Sequence, residues 1–129
     1  MTNDLARAAF WKTFVANQCE YPAADKLRAQ LANAEFHDFC NCGCNSFAVK
    51  ANKDAPPLVA PHSGPGHRAI YTADFKVAGD RTLEIVLFAD SSGNLDYIGV
   101  DCCTNSYPVP ELIEVGQPFH KWASERLLP

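Results

Sequence analysis

The chain is predicted to fold as a single α+β domain: an antiparallel sheet of about four strands, two N-terminal helices and a short C-terminal helix. Three observations carry this. Helical apolar spacing marks the first third of the sequence and its last dozen residues, period-two alternation runs through its middle, and short glycine-bearing turns separate the alternating runs. A chain of 129 residues can bury one hydrophobic core but not two.

Residues 3–18 read as a helix, because Phe10, Trp11, Phe14 and Val15 form one broad apolar face. Asn3 is the expected N-cap, and Asp4 suits the positive end of the helix dipole. A second helix is expected to start at Pro22, with Ala24, Leu27, Leu31 and Ala34 on one stripe and Asp25, Arg28 and Gln30 facing water. From Glu35 the period changes to two. Phe36, Asp38, Cys40, Cys42 and Cys44 would share one face of a strand that resumes at Ser46–Val49 after a break at Gly43.

Residues 51–68 then form a long loop with Pro56, Pro57, Pro61, Pro65, Gly64 and Gly66, read as an exposed insertion that carries His62 and His67. Three strands follow: Ala69–Val77, Thr82–Ala89 and Leu95–Cys102. Gly79-Asp80 and Ser91-Ser92-Gly93-Asn94 are the turns between them, so the strands should form a meander. Leu83, Ile85 and Leu87 alternate with Glu84, Val86 and Phe88. The set Val86, Phe88, Ile98 and Val100 makes parts of both sheet faces apolar, one to meet the helices, the other the loop or another chain. A terminal helix is expected near Pro118, with Phe119, Trp122, Ala123 and Leu127 on one side.

Composition excludes several roles. A net charge of −4 and a pI near 5.4 argue against phosphate-backbone binding, and no Lys/Arg cluster suits an anionic membrane. No apolar run approaches the roughly 18 residues of a membrane span. The N-terminus lacks the basic region of a signal peptide, so the expected compartment is the cytoplasm, where structural disulfides are rare.

Half of the six cysteines stand in Cys40-Asn41-Cys42-Gly43-Cys44. Three chemistries compete for them. Thiolates are good zinc donors, but cysteines two apart on a strand lie about 6–7 Å from each other. Sulfurs on one tetrahedral ion sit about 3.8 Å apart. Gly43 could supply the bend, and a fourth ligand would come from Cys102 or Cys103; His37 would point to the opposite face. A redox dithiol would more often read Cys-x-x-Cys at a helix N-terminus, which the chain lacks. The plainest reading is packing, since free cysteine behaves as a small buried hydrophobe. No nucleophile elbow, phosphate loop or zinc helix is present, and His37, His62, His67 and His120 are scattered.

Residues 36–103 resemble a loose group of small bacterial proteins of unknown function. The shared features are Cys40-Asn41-Cys42-Gly43-Cys44-Asn45-Ser46, the strand Leu83-Glu84-Ile85-Val86-Leu87-Phe88, and Gly93-Asn94-Leu95-Asp96-Tyr97-Ile98. The proline-rich loop and Cys102-Cys103 depart from that pattern. The resemblance implies a helix-plus-meander fold and a bacterial origin, and it carries over no catalytic residue.

The functional expectation is a non-enzymatic, cofactor-free protein that binds another protein, with an immunity-type inhibitor of a basic enzyme as the example that an acidic surface fits. The alternative is a zinc- or copper-binding module using Cys40, Cys42, Cys44 and Cys102. A thiol enzyme is the third reading, and it predicts one cysteine of outstanding reactivity.

Overall fold

A computed structural model describes residues 3–64, 66–104 and 106–129; Pro65 of the predicted loop lies outside them. The elements run α1 (Leu5–Gln18), α2 (Ala24–Leu31), β1 (Glu35–His37), β2 (Phe47–Lys50), β3 (Arg68–Val77), β4 (Arg81–Ala89), β5 (Leu95–Cys102) and β6 (His120–Ala123). The six strands make one antiparallel sheet in the order β1-β2-β5-β4-β3-β6. The α+β class and the β3-β4-β5 meander are as the sequence predicts.

The strand count is larger than expected for two reasons. The expected 35–49 strand is a hairpin, β1 and β2, whose loop contains the three clustered cysteines. The expected C-terminal helix is instead β6, which pairs Tyr71 with Ala123 and Asp74 with His120. All four β6 residues are exposed, so no buried stripe drives a helix there. Pairing instead satisfies backbone groups of β3 that would otherwise face water along a sheet edge.

Helix α1 packs its aromatic face on one side of the sheet. Trp11 is fully buried, and Phe14 meets Phe75 of β3 edge-on with ring centroids 5.1 Å apart. The same side takes Leu83, Ile85 and Leu87 of β4 and Ile98, Val100 and Cys102 of β5, all fully buried. A bulge between Ala69 and Tyr71 lets Ile70 and Tyr71 both turn inward.

Two expectations for the helices are corrected. Asp4, not Asn3, caps α1, its carboxylate accepting from Arg7 N at 2.9 Å. Gln30 does not face water: it is fully buried, donates to Pro56 O and Asn94 Oδ1, and accepts from Leu95 N. It thereby ties α2 to both the long loop and the β4–β5 turn.

The long loop is fastened to the domain. Leu58 and Val59 are buried, and their amides both reach Gly93 O. Gly93 has φ +85, and a Cβ there would lie 2.0 Å from Val59 O, so the close approach requires glycine. At its far end His67 stacks on Phe88 at 4.5 Å, which brings the loop onto the second sheet face as expected.

Candidate thiol site

The chain leaves β1 at Asp38, which adopts φ +53 and turns the backbone out of the sheet. Gly43 at φ +105 makes the second reversal, with its Cβ direction facing Pro108 at 3.7 Å. Between these bends the backbone is irregular, and the alternating faces assumed from sequence do not exist. The consequence is convergence. Cys40 Sγ lies 2.9 Å from Cys42 Sγ, Cys42 Sγ lies 3.3 Å from Cys44 Sγ, and all three sulfurs fall within 4.8 Å of one another.

Polar groups beneath the loop hold it. Asn3 is buried and donates its amide to Cys40 O and Ser46 O, both at 2.8 Å, clamping the two ends together. Cys40 N donates to Ser46 O across the same neck, and Asn45 N to Val100 O of β5. Ser46 Oγ accepts from Val100 N at 2.9 Å. At the tip, Val109 N donates to Gly43 O at 3.0 Å. Asn45 Oδ1 accepts from Arg7 Nε at 2.9 Å and from Trp11 Nε1 at 3.1 Å, which joins the loop to α1. The Arg7 guanidinium also donates to Pro110 O and Glu111 O.

Exposure grades across the three thiols. Cys44 is buried, Cys40 is half-buried and Cys42 is exposed. The packing role expected from sequence therefore describes Cys44 but not Cys42, which fills no core space. Hydrogen bonds with the neighbouring thiols, Cys42 first and Cys44 second, push the Cys40 thiol up to about 11. Without a cation the cluster thus holds its Cys40 proton at neutral pH. The Tyr97 phenol stands beside the cluster, its pKa raised by burial first and then by Cys44, Cys40 and Cys42.

The other proposed ligands lie apart. Cys102 is fully buried, and its Sγ lies 4.0 Å from that of Cys103. Burial, then the Cys103 hydrogen bond, pushes Cys102 up to about 11. Cys103 adopts φ +54 just past the end of β5, which brings adjacent side chains together that a regular strand would send to opposite faces. His37 pairs with Asp38 at 3.0 Å. Among the described residues, neither Cys102 nor His37 belongs to the group of sulfurs around Cys42.

The loop's supports were missed at sequence level. Arg7 offered a signal, since it lies four residues before Trp11 and seven before Phe14, on the stripe that is otherwise apolar. A cation at such a position requires buried acceptors, and the loop supplies one. No protein-family model matches the chain, and neither a curated protein nor a solved structure is significantly similar to it. No helix among the described residues is long and apolar enough to cross a membrane.

Proposed function

We propose that residues 40–44 form a soft-metal-binding loop, with Cys40, Cys42 and Cys44 as ligands for zinc or copper. The observation that carries this reading is the convergence of three sulfurs in a loop that leaves one of them exposed. Three thiols gathered at a surface bury little apolar area, whereas three thiolates around a cation are a strong donor set. The fit is close. Sulfurs sharing an ion at about 2.3 Å lie about 3.8–4.0 Å apart, so the two short separations need widen by only about 1 Å. A thiolate site also suits a reducing compartment such as the cytoplasm.

Metal analysis of protein purified anaerobically without chelator tests the reading. About one equivalent of zinc or copper per chain, lost in a Cys40→Ser/Cys42→Ser variant, is the expected result. Protein that neither retains nor takes up either ion refutes it.

The second reading, a protein partner, is favoured by the sheet face turned away from the helices. Asp74, Glu84 and Asp101 stand in register across β3, β4 and β5, beside half-buried Val86, Phe88 and Tyr97 and exposed Trp122. A carboxylate row among aromatic groups suits a basic partner, for which an inhibitor of a basic enzyme is one example. A Glu84→Lys/Asp101→Lys variant that folds normally should lose any partner that co-purifies with the wild type. Undiminished co-purification counts against this face.

A further inference from the structure

We infer that the thiol loop carries monovalent copper as an exchangeable cargo, not zinc as a fixed structural ion; this rests on the metal-loop reading above. The first argument is the donor count. Among the described residues the converging group has three members, all sulfur, and no His, Asp or Glu side chain joins it. Structural zinc sites are closed by four protein ligands in a tetrahedron. Copper(I) is softer, and three thiolates in a trigonal arrangement complete its coordination.

The second argument is what holds the loop. A structural zinc supplies folding free energy outright, because the site does not exist without it. Here the neck is closed by Asn3 and by Cys40 N, the tip by Val109 N, and the exit by Asn45 and Ser46 on β5. These contacts are all protein to protein. None of them passes through the sulfurs' shared centre, so an ion bound there could leave without dismantling them.

The third argument is access. Cys44 anchors the buried side of the triangle and Cys42 forms its exposed corner. An incoming thiol can therefore approach the ion from the Cys42 side. Transfer is ligand substitution without redox. A copper–sulfur bond to the incoming thiolate forms as the one to Cys42 breaks, copper stays monovalent, and the proton of the incoming thiol ends on the released Cys42 sulfur. The protonated Cys42 is then a poor competitor for the departing ion.

Anaerobic titration of the full chain tests this, with copper(I) supplied from a coloured chelator and zinc(II) and cobalt(II) in parallel. The expected result is one copper(I) per chain, three sulfur neighbours by X-ray absorption, and loss of copper to a small dithiol within the mixing time. Cys42→Ser, at an exposed position that does not endanger folding, should weaken copper(I) binding by at least about tenfold. The metal-free chain should keep its cooperative melt. A tetrahedral four-ligand cobalt(II) spectrum with zinc outcompeting copper(I), or unfolding on metal removal, overturns the copper inference while leaving a metal loop in place. Failure of all three ions to bind overturns both.

Discussion

Replacing Asn45 with alanine removes the acceptor that α1 uses to hold the thiol loop. Asn45 Oδ1 receives Arg7 Nε at 2.9 Å and Trp11 Nε1 at 3.1 Å. Trp11 is fully buried and Arg7 is only 9% exposed, so water cannot readily replace the lost oxygen. A hydrogen bond from a charged donor is worth about 1.5–3 kcal/mol, and stranding a buried neutral donor costs about 1–3 kcal/mol. Arg7 keeps its bonds to Pro110 O and Glu111 O, which limits the charged share. The net destabilisation should be about 3–4 kcal/mol. Urea unfolding measures it as a lower midpoint at unchanged slope. Asn45→Asp retains an acceptor beside the guanidinium and should recover most of the loss. Crossing Asn45→Ala with Arg7→Ala should give a coupling energy of about 1 kcal/mol or more. A destabilisation below about 1 kcal/mol, or additive single variants, would refute the claim that this node joins loop to helix.

Three further outcomes follow from the fold. Gly93→Ala must place a Cβ 2.0 Å from Val59 O at φ +85, which should cost about 3 kcal/mol or more in chemical denaturation; a near-neutral change would mean that the 51–68 loop is not packed on the β4–β5 turn. Glu84 lies in register with Asp74 and Asp101, and burial followed by those two carboxylates raises its pKa. The folded state therefore binds this proton more tightly, and wild-type stability from it is lost as pH rises through the raised value. Glu84→Gln should add about 0.5–1 kcal/mol at neutral pH, with the gain shrinking in acid; a pH-independent effect would contradict the carboxylate row. Burial pushes Cys19 from 9.0 to about 12, and burial with nearby Cys19 and Glu20 pushes Tyr71 from 10.0 to about 12. Both groups favour the protonated folded state, so stability should be full below about pH 9 and fall toward pH 12. A flat pH profile across that window in denaturant titrations would show that these groups are hydrated.

The meander was legible because its signals are local. Leu83, Ile85 and Leu87 alternate with polar or outward residues, and glycine stands in both turns, so strand identity and order need no distant information. Gln30 was misplaced because its partners, at residues 56, 94 and 95, lie far along the chain. A polar residue on a helix reads as solvated until something nonlocal claims it. The C-terminal strand failed for a related reason. The spacing of Phe119, Trp122 and Leu127 fits a helical stripe, yet the need that shapes the segment belongs to the backbone of β3.

The thiol loop shows how one local bend changes the chemistry available. On a pleated strand, Cys40, Cys42 and Cys44 would hold their sulfurs about 6–7 Å apart, too far for one ion and suited only to packing. The positive φ values at Asp38 and Gly43 convert the same spacing into sulfurs 2.9 and 3.3 Å apart. Glycine at 43 was visible in the sequence, but Asp38 carries a side chain and gives no such notice. Its turn is stabilised from outside, by Asn3 across the neck and by β5 beneath the exit. The residues that decide whether these cysteines pack or bind are therefore Asn3, Asn45 and Ser46, none of which carries a thiol. A loop rebuilt with its cysteines intact but Asn3 replaced by alanine should keep its ligands and lose their geometry. Metal affinity should then fall about 10–100-fold, as for other groups that orient ligands without touching the ion.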